Sequence, residues 1–241
     1  MIELNPQIDR AALAERFRAN GRVQIPDVLT LQSAQMVRAL LLSGTKWGLV
    51  WQAGDAASVQ ALANRELTSP GAQEIVGRAG AATDEAARRG DYSFRFANYP
   101  VLQACLEGWD PGGPHDSLIE AMNMPDMLDL VRTVTGIPEL VKADAQATLF
   151  APNHFLGLHT DAHKGQGWRV AYVLNFAPED WSPNWGGYLQ FFDEEGNITF
   201  GWRPRFNVLN LMAVPCVHSV SYVPPFAPPG RVAITGWFRD L

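Results

Sequence analysis

The sequence has few cysteines, no excess of positive charge and no long apolar run, and each absence excludes a class of protein. Only two of its 241 residues are cysteines, and neither lies in a Cys-x-x-Cys pair, which excludes a disulfide scaffold and a cysteine-based zinc site. The net charge of −6 makes nucleic acids and anionic membranes unexpected partners. No run approaches the ~18 apolar residues of a membrane span.

What remains is the composition of an ordinary globular protein, with 47% hydrophobic and 18% charged residues. The segment from Met1 to Phe17 carries charges and lacks the apolar core of a secretion signal, so the expected location is cytoplasmic. No linker, repeat or low-complexity tract interrupts the chain. We therefore predict one domain over residues 1–241.

The first 140 residues are predicted to be mainly helical. A helix capped by Asp9 ends at Gly21, and apolar residues at helical spacing predict further helices at Ser33 to Leu42 and Asp126 to Thr135. Val23 to Ile25 is a candidate short strand. These helices are expected to support the rest of the domain as a buttress.

The segment from Trp47 to Pro114 has a weaker pattern, because glycine and proline recur and only Ala72 to Arg89 resembles a helix. It is predicted to be a lid or insertion that covers the site. Within it, Tyr92 and Arg95 belong to an aromatic run that either contacts a substrate or packs in the core.

After Gly136 the pattern changes to short β-rich runs separated by turn residues, which is typical of an antiparallel sandwich or barrel. We therefore predict a mainly β fold with N-terminal helices, in which residues 1–140 form the buttress and lid and residues 141–241 the β core. The predicted strands are Leu140 to Phe150, Phe155 to His159, Arg169 to Phe176, Tyr188 to Phe192, Phe206 to Val214, Val217 to Val223 and Arg231 to Phe238.

A candidate metal site begins at His159 and Asp161, because residues i and i+2 on a strand share a face. With His218 as a third ligand they form the two-histidine, one-carboxylate set of non-haem Fe(II) oxygenases. A zinc hydrolase built on His154, His159 and His163 is an alternative, although Pro152 disfavours a helix there.

Arg231 begins an apolar strand and would carry a charge into the β core. A buried guanidinium needs an anion, and no acidic residue alternates inward nearby. A dicarboxylic co-substrate is therefore a natural partner.

Five motifs together resemble the prolyl-hydroxylase-like branch of the Fe(II)/2-oxoglutarate-dependent oxygenases. They share the order and spacing of that family's core motifs over about Asp144 to Phe238. The motifs are His159-Thr-Asp161, Arg169-Val-Ala-Tyr-Val-Leu-Asn175, Trp185-Gly-Gly-Tyr-Leu189, His218-Ser-Val220 and Arg231-Val-Ala-Ile-Thr-Gly-Trp-Phe238.

The resemblance implies a double-stranded β-helix, or jelly-roll, core and a hydroxylase that uses Fe(II), 2-oxoglutarate and O2, with ascorbate as a further candidate cofactor. It implies a peptide or small-molecule substrate such as a proline residue, an amino acid or a metabolite. The residues that it assigns are His159, Asp161 and His218 to iron, Arg231 to the distal carboxylate of 2-oxoglutarate, Val173, Leu189 and Val220 to the co-substrate lining, and Trp237 with Tyr92 and Arg95 to the substrate.

Two departures from the family pattern concern the co-substrate pocket. Relatives carry tyrosine where this chain has Phe150, and often where it has Val173, so both hydroxyls are missing. We expect Arg231 to be helped by Thr235, which shares its strand face, or by Tyr172 if the register differs.

Other roles remain open at the level of sequence. His154 is a candidate substrate contact or an exposed loop residue, and His163 is a candidate partner of Asp161. Trp185-Gly186-Gly187 is interpreted as a turn that needs glycine. The competing functions are a non-catalytic jelly-roll binding module and a metal-dependent hydrolase or isomerase on a cupin-like barrel.

Overall fold

The computed structural model describes residues 2–162, 165 and 167–241. The helices of this part of the chain are α1 (Arg10–Asn20), α2 (Leu31–Ala39), α3 (Asn64–Leu67), α4 (Ala72–Arg89), α5 (Val101–Leu106), α6 (Asp116–Asn123) and α7 (Pro125–Thr135). The strands are β1 (Arg22–Pro26), β2 (Gly48–Ala53), β3 (Gln60–Leu62), β4 (Ser93–Tyr99), β5 (Lys142–Ala143), β6 (Gln146–Phe150), β7 (Phe155–His159), β8 (Trp168–Phe176), β9 (Leu189–Phe192), β10 (Ile198–Trp202), β11 (Phe206–Ala213), β12 (His218–Val220) and β13 (Arg231–Arg239).

All of these strands belong to one curled antiparallel sheet. Its main path runs β1-β11-β8-β13-β6-β4-β7-β12-β9-β10, with β2 and β3 joined to β4 and with β5 joined to β13. The larger half of the sheet consists of β1, β11, β8, β13 and β6 and lies against the helices. The smaller half consists of β7, β12, β9 and β10 and completes the roll. This arrangement is the predicted jelly roll, and it confirms the mainly β fold class.

Alternation along the central strands separates two apolar clusters. On β13, Val232, Ile234 and Phe238 face the helices, whereas Ala233 and Trp237 face the interior of the roll. The functional side chains are found on the interior face.

The predicted N-terminal helices are present. The Asp9 carboxylate accepts a hydrogen bond from the Ala12 amide at the start of α1, and Gly21 ends that helix in the left-handed conformation with φ 64°. The predicted strand at 23–25 is β1, and the predicted helix at 72–89 is α4.

The predicted division at residue 140 needs correction, because the first part of the chain is more than buttress and lid. Strand β4 lies within the sheet between β6 and β7, and β1 pairs with β11. Ser93, Phe94, Arg95 and Phe96 alternate polar and apolar side chains, yet all four are buried because β4 is covered on both faces. The strand lies in a segment where glycine and proline recur, and for that reason the sequence predicted a lid there.

None of the described helices is long and apolar enough to span a membrane.

Candidate metal centre

The predicted metal ligands converge where the two neighbouring strands β7 and β12 meet. His159 at the end of β7 lies directly opposite His218 at the start of β12, and Asp161 follows two residues later. One potential ligand atom from each side chain lies within 4.8 Å of the other two. His159 Nε2 is 3.5 Å from Asp161 Oδ1, and His218 Nε2 is 3.6 Å from Asp161 Oδ2.

Backbone carbonyl groups fix the orientation of both imidazole rings. His159 Nδ1 lies 2.9 Å from the Gly157 carbonyl oxygen, and His218 Nδ1 lies 2.8 Å from that of Cys216. A carbonyl oxygen only accepts, so each Nδ1 carries the proton, and the neutral ring keeps the Nε2 lone pair free for a metal. Sequence reasoning missed these two carbonyls, although each belongs to the residue two positions before its histidine.

The charges of the three side chains suit a cation between them. Burial and the neighbouring His159 lower the pKa of His218, so its ring is neutral at pH 7. Burial alone would raise the pKa of Asp161, but hydrogen bonding to His159 and the charges of both histidines outweigh it and lower that pKa. Two imidazoles that direct Nε2 toward one carboxylate are a donor set that fits Fe(II).

Arg231 is buried at the start of β13, with 2% of its surface exposed. Its Nε donates to the Gly187 carbonyl at 2.6 Å, and its guanidinium carbon lies 4.4 Å from the centre of the Phe150 ring. Burial lowers the pKa of Arg231 to about 9, so the group is still a cation at pH 7. No carboxylate in the described part of the chain forms an ion pair with it, and the site therefore fits an anionic ligand.

Gly187 is required where it packs against this arginine. Its φ is +68°, and a Cβ atom there would lie 2.7 Å from Arg231 Cδ. Gly186 also has a positive φ, at +63°. The interpretation of 185–187 as a turn that needs glycine is confirmed. The absence of a side chain at Gly187 also leaves room for the side chain of Arg231.

The residues predicted to line the co-substrate share the interior cluster with Phe150. Val173, Leu189 and Val220 all belong to it. Thr235 pairs with Val173 across β13 and β8 and alternates in phase with Arg231. The alternative assignment of this role to Tyr172 is wrong. Its side chain packs in the apolar cluster that faces the helices, and its hydroxyl donates to the Asp144 carbonyl oxygen at 2.7 Å.

Trp237 and Tyr92 both lie beside the ligands. The Trp237 indole N–H is buried and has no hydrogen-bond partner among the described residues. It nevertheless lies close enough to Asp161 to help lower the pKa of that carboxyl. The Tyr92 ring is 5.8 Å from the His159 ring. Burial and the charge of Asp161 raise the pKa of Tyr92 to about 12, so the phenol is neutral.

Arg95 is placed differently from the prediction. Its guanidinium donates to the Asn153 carbonyl at 2.7 Å, to Thr83 Oγ1 at 2.6 Å and to Asp84 Oδ1 at 2.6 Å. These bonds tie helix α4 to the loop before β7 and leave the side chain little freedom to reach a substrate. The placement argues against the predicted substrate contact and favours the core-packing alternative.

His154 holds the same loop together and does not belong to the metal cluster. Its Nδ1 accepts a hydrogen bond from the Ala151 amide at 3.1 Å, so the 3.2 Å approach of that nitrogen to the Leu149 carbonyl is a contact without a proton. The described metal cluster contains His159, Asp161 and His218 only, which disfavours the zinc-hydrolase set. His163 lies outside the described residues.

His154 should make the stability of the metal-free protein depend on pH. Burial, with a smaller effect from Arg95, lowers its pKa from 6.5 to about 4. The unfolded chain therefore binds a proton that the folded chain excludes, and stability falls as the pH drops from about 6.5 to about 4, by about 3 kcal/mol in total. Glutamine at 154 can accept the same amide hydrogen bond without titrating.

Urea unfolding at a series of pH values measures this effect. In the His154→Gln variant the free energy of unfolding should fall less steeply between pH 7 and pH 4 than in the wild type. Equal slopes in the two proteins would show that another group causes the acid destabilisation.

The β-core matches a known family. Residues 145–239 match the model of the 2OG-Fe(II) oxygenase superfamily. No curated protein matches the chain.

Solved structures share the fold over nearly the whole chain. A Pseudomonas putida prolyl-4-hydroxylase is 22% identical, with 95% of this chain and 98% of that chain covered and a TM-score of 0.54. A 2OG-Fe(II) oxygenase family oxidoreductase from Burkholderia pseudomallei is 13% identical, with coverages of 99% and 94% and a TM-score of 0.60. A prolyl hydroxylase from Trichoplax adhaerens, in complex with a hypoxia inducible factor peptide fragment, is 13% identical, with coverages of 96% and 89% and a TM-score of 0.50. The predicted resemblance to the Fe(II)/2-oxoglutarate-dependent oxygenases is confirmed over residues 145–239, and the chain shares its fold with two prolyl hydroxylases.

Proposed function

Because residues 145–239 form a 2OG-Fe(II) oxygenase domain, we propose that the protein hydroxylates an unactivated C–H bond of a proline residue, an amino acid or a small metabolite. The observation that supports this function best is a two-histidine, one-carboxylate cluster in the same roll as a buried arginine that has no acidic partner among the described residues. A hydrolase or isomerase would need the metal ligands but has no use for the arginine.

His159, Asp161 and His218 would hold Fe(II), whose chemistry with O2 and 2-oxoglutarate supplies the oxidising power. The protein supplies geometry. The Gly157 and Cys216 carbonyls keep the Nε2 atom of each ring directed at the ion. Three protein ligands would leave coordination positions open for ligands that react.

Arg231 would orient 2-oxoglutarate through its remote carboxylate. Nε is already bonded to Gly187, so the terminal N–H groups are the donors left for two parallel bonds. Thr235, on the same strand face, is the hydroxyl we assign as the second donor in place of the missing tyrosines. The apolar side chains of Val173, Leu189 and Val220 would exclude water around the co-substrate chain.

Succinate formation tests the proposed function. Purified protein supplied with Fe(II), 2-oxoglutarate and O2 should form succinate slowly even without a substrate, and the His159→Ala variant should form none. A binding module would form no succinate. A metal-dependent hydrolase would bind the ion without consuming 2-oxoglutarate, and either outcome would contradict the proposal.

A further inference from the structure

Arg22 is a second cation on the inner wall of the roll, on a strand that sequence reasoning did not connect with the site. It begins β1, where it pairs with Met212 of β11. Met212 belongs to the interior cluster, and Gln24, two residues along the same face, donates to Asn210 Oδ1 at 3.0 Å. The side chain of Arg22 therefore extends from the larger half of the sheet toward the interior.

The guanidinium of Arg22 reaches the smaller half of the sheet. Its central carbon lies 4.5 Å from the centre of the Phe191 ring and 5.6 Å from that of Phe200. Phe191 is paired directly with the proposed iron ligand His218. Arg22 therefore lies at the metal end of the roll. Arg231 lies at the opposite end, because it begins β13, and Trp237, toward the other end of that strand, lies beside Asp161.

Among the described residues, no acidic group forms an ion pair with Arg22, so its positive charge has no partner of opposite sign there.

From this arrangement we propose that Arg22 binds the carboxylate of a small acidic substrate and so determines substrate class. Stacking on Phe191 uses one face of the guanidinium and leaves its N–H edge free for a carboxylate. The guanidinium presents one planar fork of N–H groups, whose geometry matches a carboxylate. The inference rests on the proposed function and narrows it, because a proline residue inside a peptide has no carboxylate of its own.

Equilibrium dialysis tests the proposal without requiring turnover. The protein, loaded with Mn(II) and 2-oxoglutarate, is dialysed against a mixture of the standard amino acids, their deamino acids and the amides of both, and the retained compounds are identified by mass spectrometry. The wild type should retain at least one acid roughly ten- to a hundredfold better than its amide, as expected for a charge-assisted hydrogen bond.

Variants assign this preference to Arg22. Arg22→Gln keeps the length and a planar end but lacks the charge, and it should lose the preference for the acid, whereas Arg22→Lys should keep part of it. Arg38→Gln is the matched control, because Arg38 also stacks on a phenylalanine, Phe206, at 5.3 Å, but lies on α2 outside the roll. This control should behave as the wild type does.

Three results would overturn the proposal: equal retention of acids and amides, undiminished retention by Arg22→Gln, or retention of neither class by the wild type. Retention of 2-oxoglutarate is measured in the same dialysis and reports on the proposed function separately. A wild type that retains 2-oxoglutarate but shows no Arg22-dependent acid would therefore contradict only the role of Arg22.

Discussion

The His159→Ala variant is expected to lose iron binding while keeping its fold. The His159 side chain is 16% exposed, and its backbone hydrogen bond within the described part of the chain is to the Gly157 carbonyl, so its removal costs the core little. One of three ligands is lost, however. Since loss of an outer-shell partner alone weakens metal affinity by about ten- to a hundredfold, the affinity should fall by about a hundredfold or more.

Metal analysis after anaerobic dialysis against Fe(II), together with the melting temperature of the metal-free protein, measures both parts of this prediction. His154→Gln is the control: it replaces a histidine five residues away that is hydrogen-bonded within its own loop, and it should bind iron as the wild type does. Full iron occupancy in the His159→Ala variant would contradict the assignment of this ligand.

The second large effect is expected at Arg231. In the Arg231→Lys variant the planar fork is lost, and the burial that lowers the pKa of Arg231 would also favour the neutral form of a lysine there. Losing one charge-assisted hydrogen bond, worth ~1.5–3 kcal/mol, should raise the KM for 2-oxoglutarate by roughly ten- to a hundredfold. Iron affinity should change much less.

The initial rate of succinate formation at varied 2-oxoglutarate measures this effect. Arg169→Lys serves as the control, because Arg169 forms an exposed ion pair with Asp240 on the surface and its KM should match that of the wild type. An unchanged KM in the Arg231→Lys variant would show that another group binds the carboxylate of the co-substrate.

The β core was predictable because its strands are short runs rich in β-branched and aromatic residues and bounded by turn residues. Within a strand such as β13, successive side chains point to opposite faces, which predicts which residues share the face of Arg231. The same alternation decides between Thr235 and Tyr172 once the pairing is known, since Tyr172 lies on the opposite face and bonds to the Asp144 carbonyl. Register itself depends on contacts that are distant in the sequence, so both options remained open until the structure fixed it.

Two features were not predictable for identifiable physical reasons. β10 was missed because Ile198 to Phe200 are exposed and Gly201 interrupts the pattern. The ion pair between Arg95 and Asp84 could not be predicted, because Asp84 lies on helix α4 and only the folded chain brings that helix face to β4. An arginine among aromatic residues looks the same in sequence whether it contacts a ligand or a helix.

The most direct test of the central claim is a calorimetric titration of 2-oxoglutarate into the metal-loaded wild type under nitrogen. We expect saturable binding at one site per chain, weakened in Arg231→Lys and dependent on the metal held by His159, Asp161 and His218. Absence of 2-oxoglutarate binding to a protein that does hold the metal would contradict it.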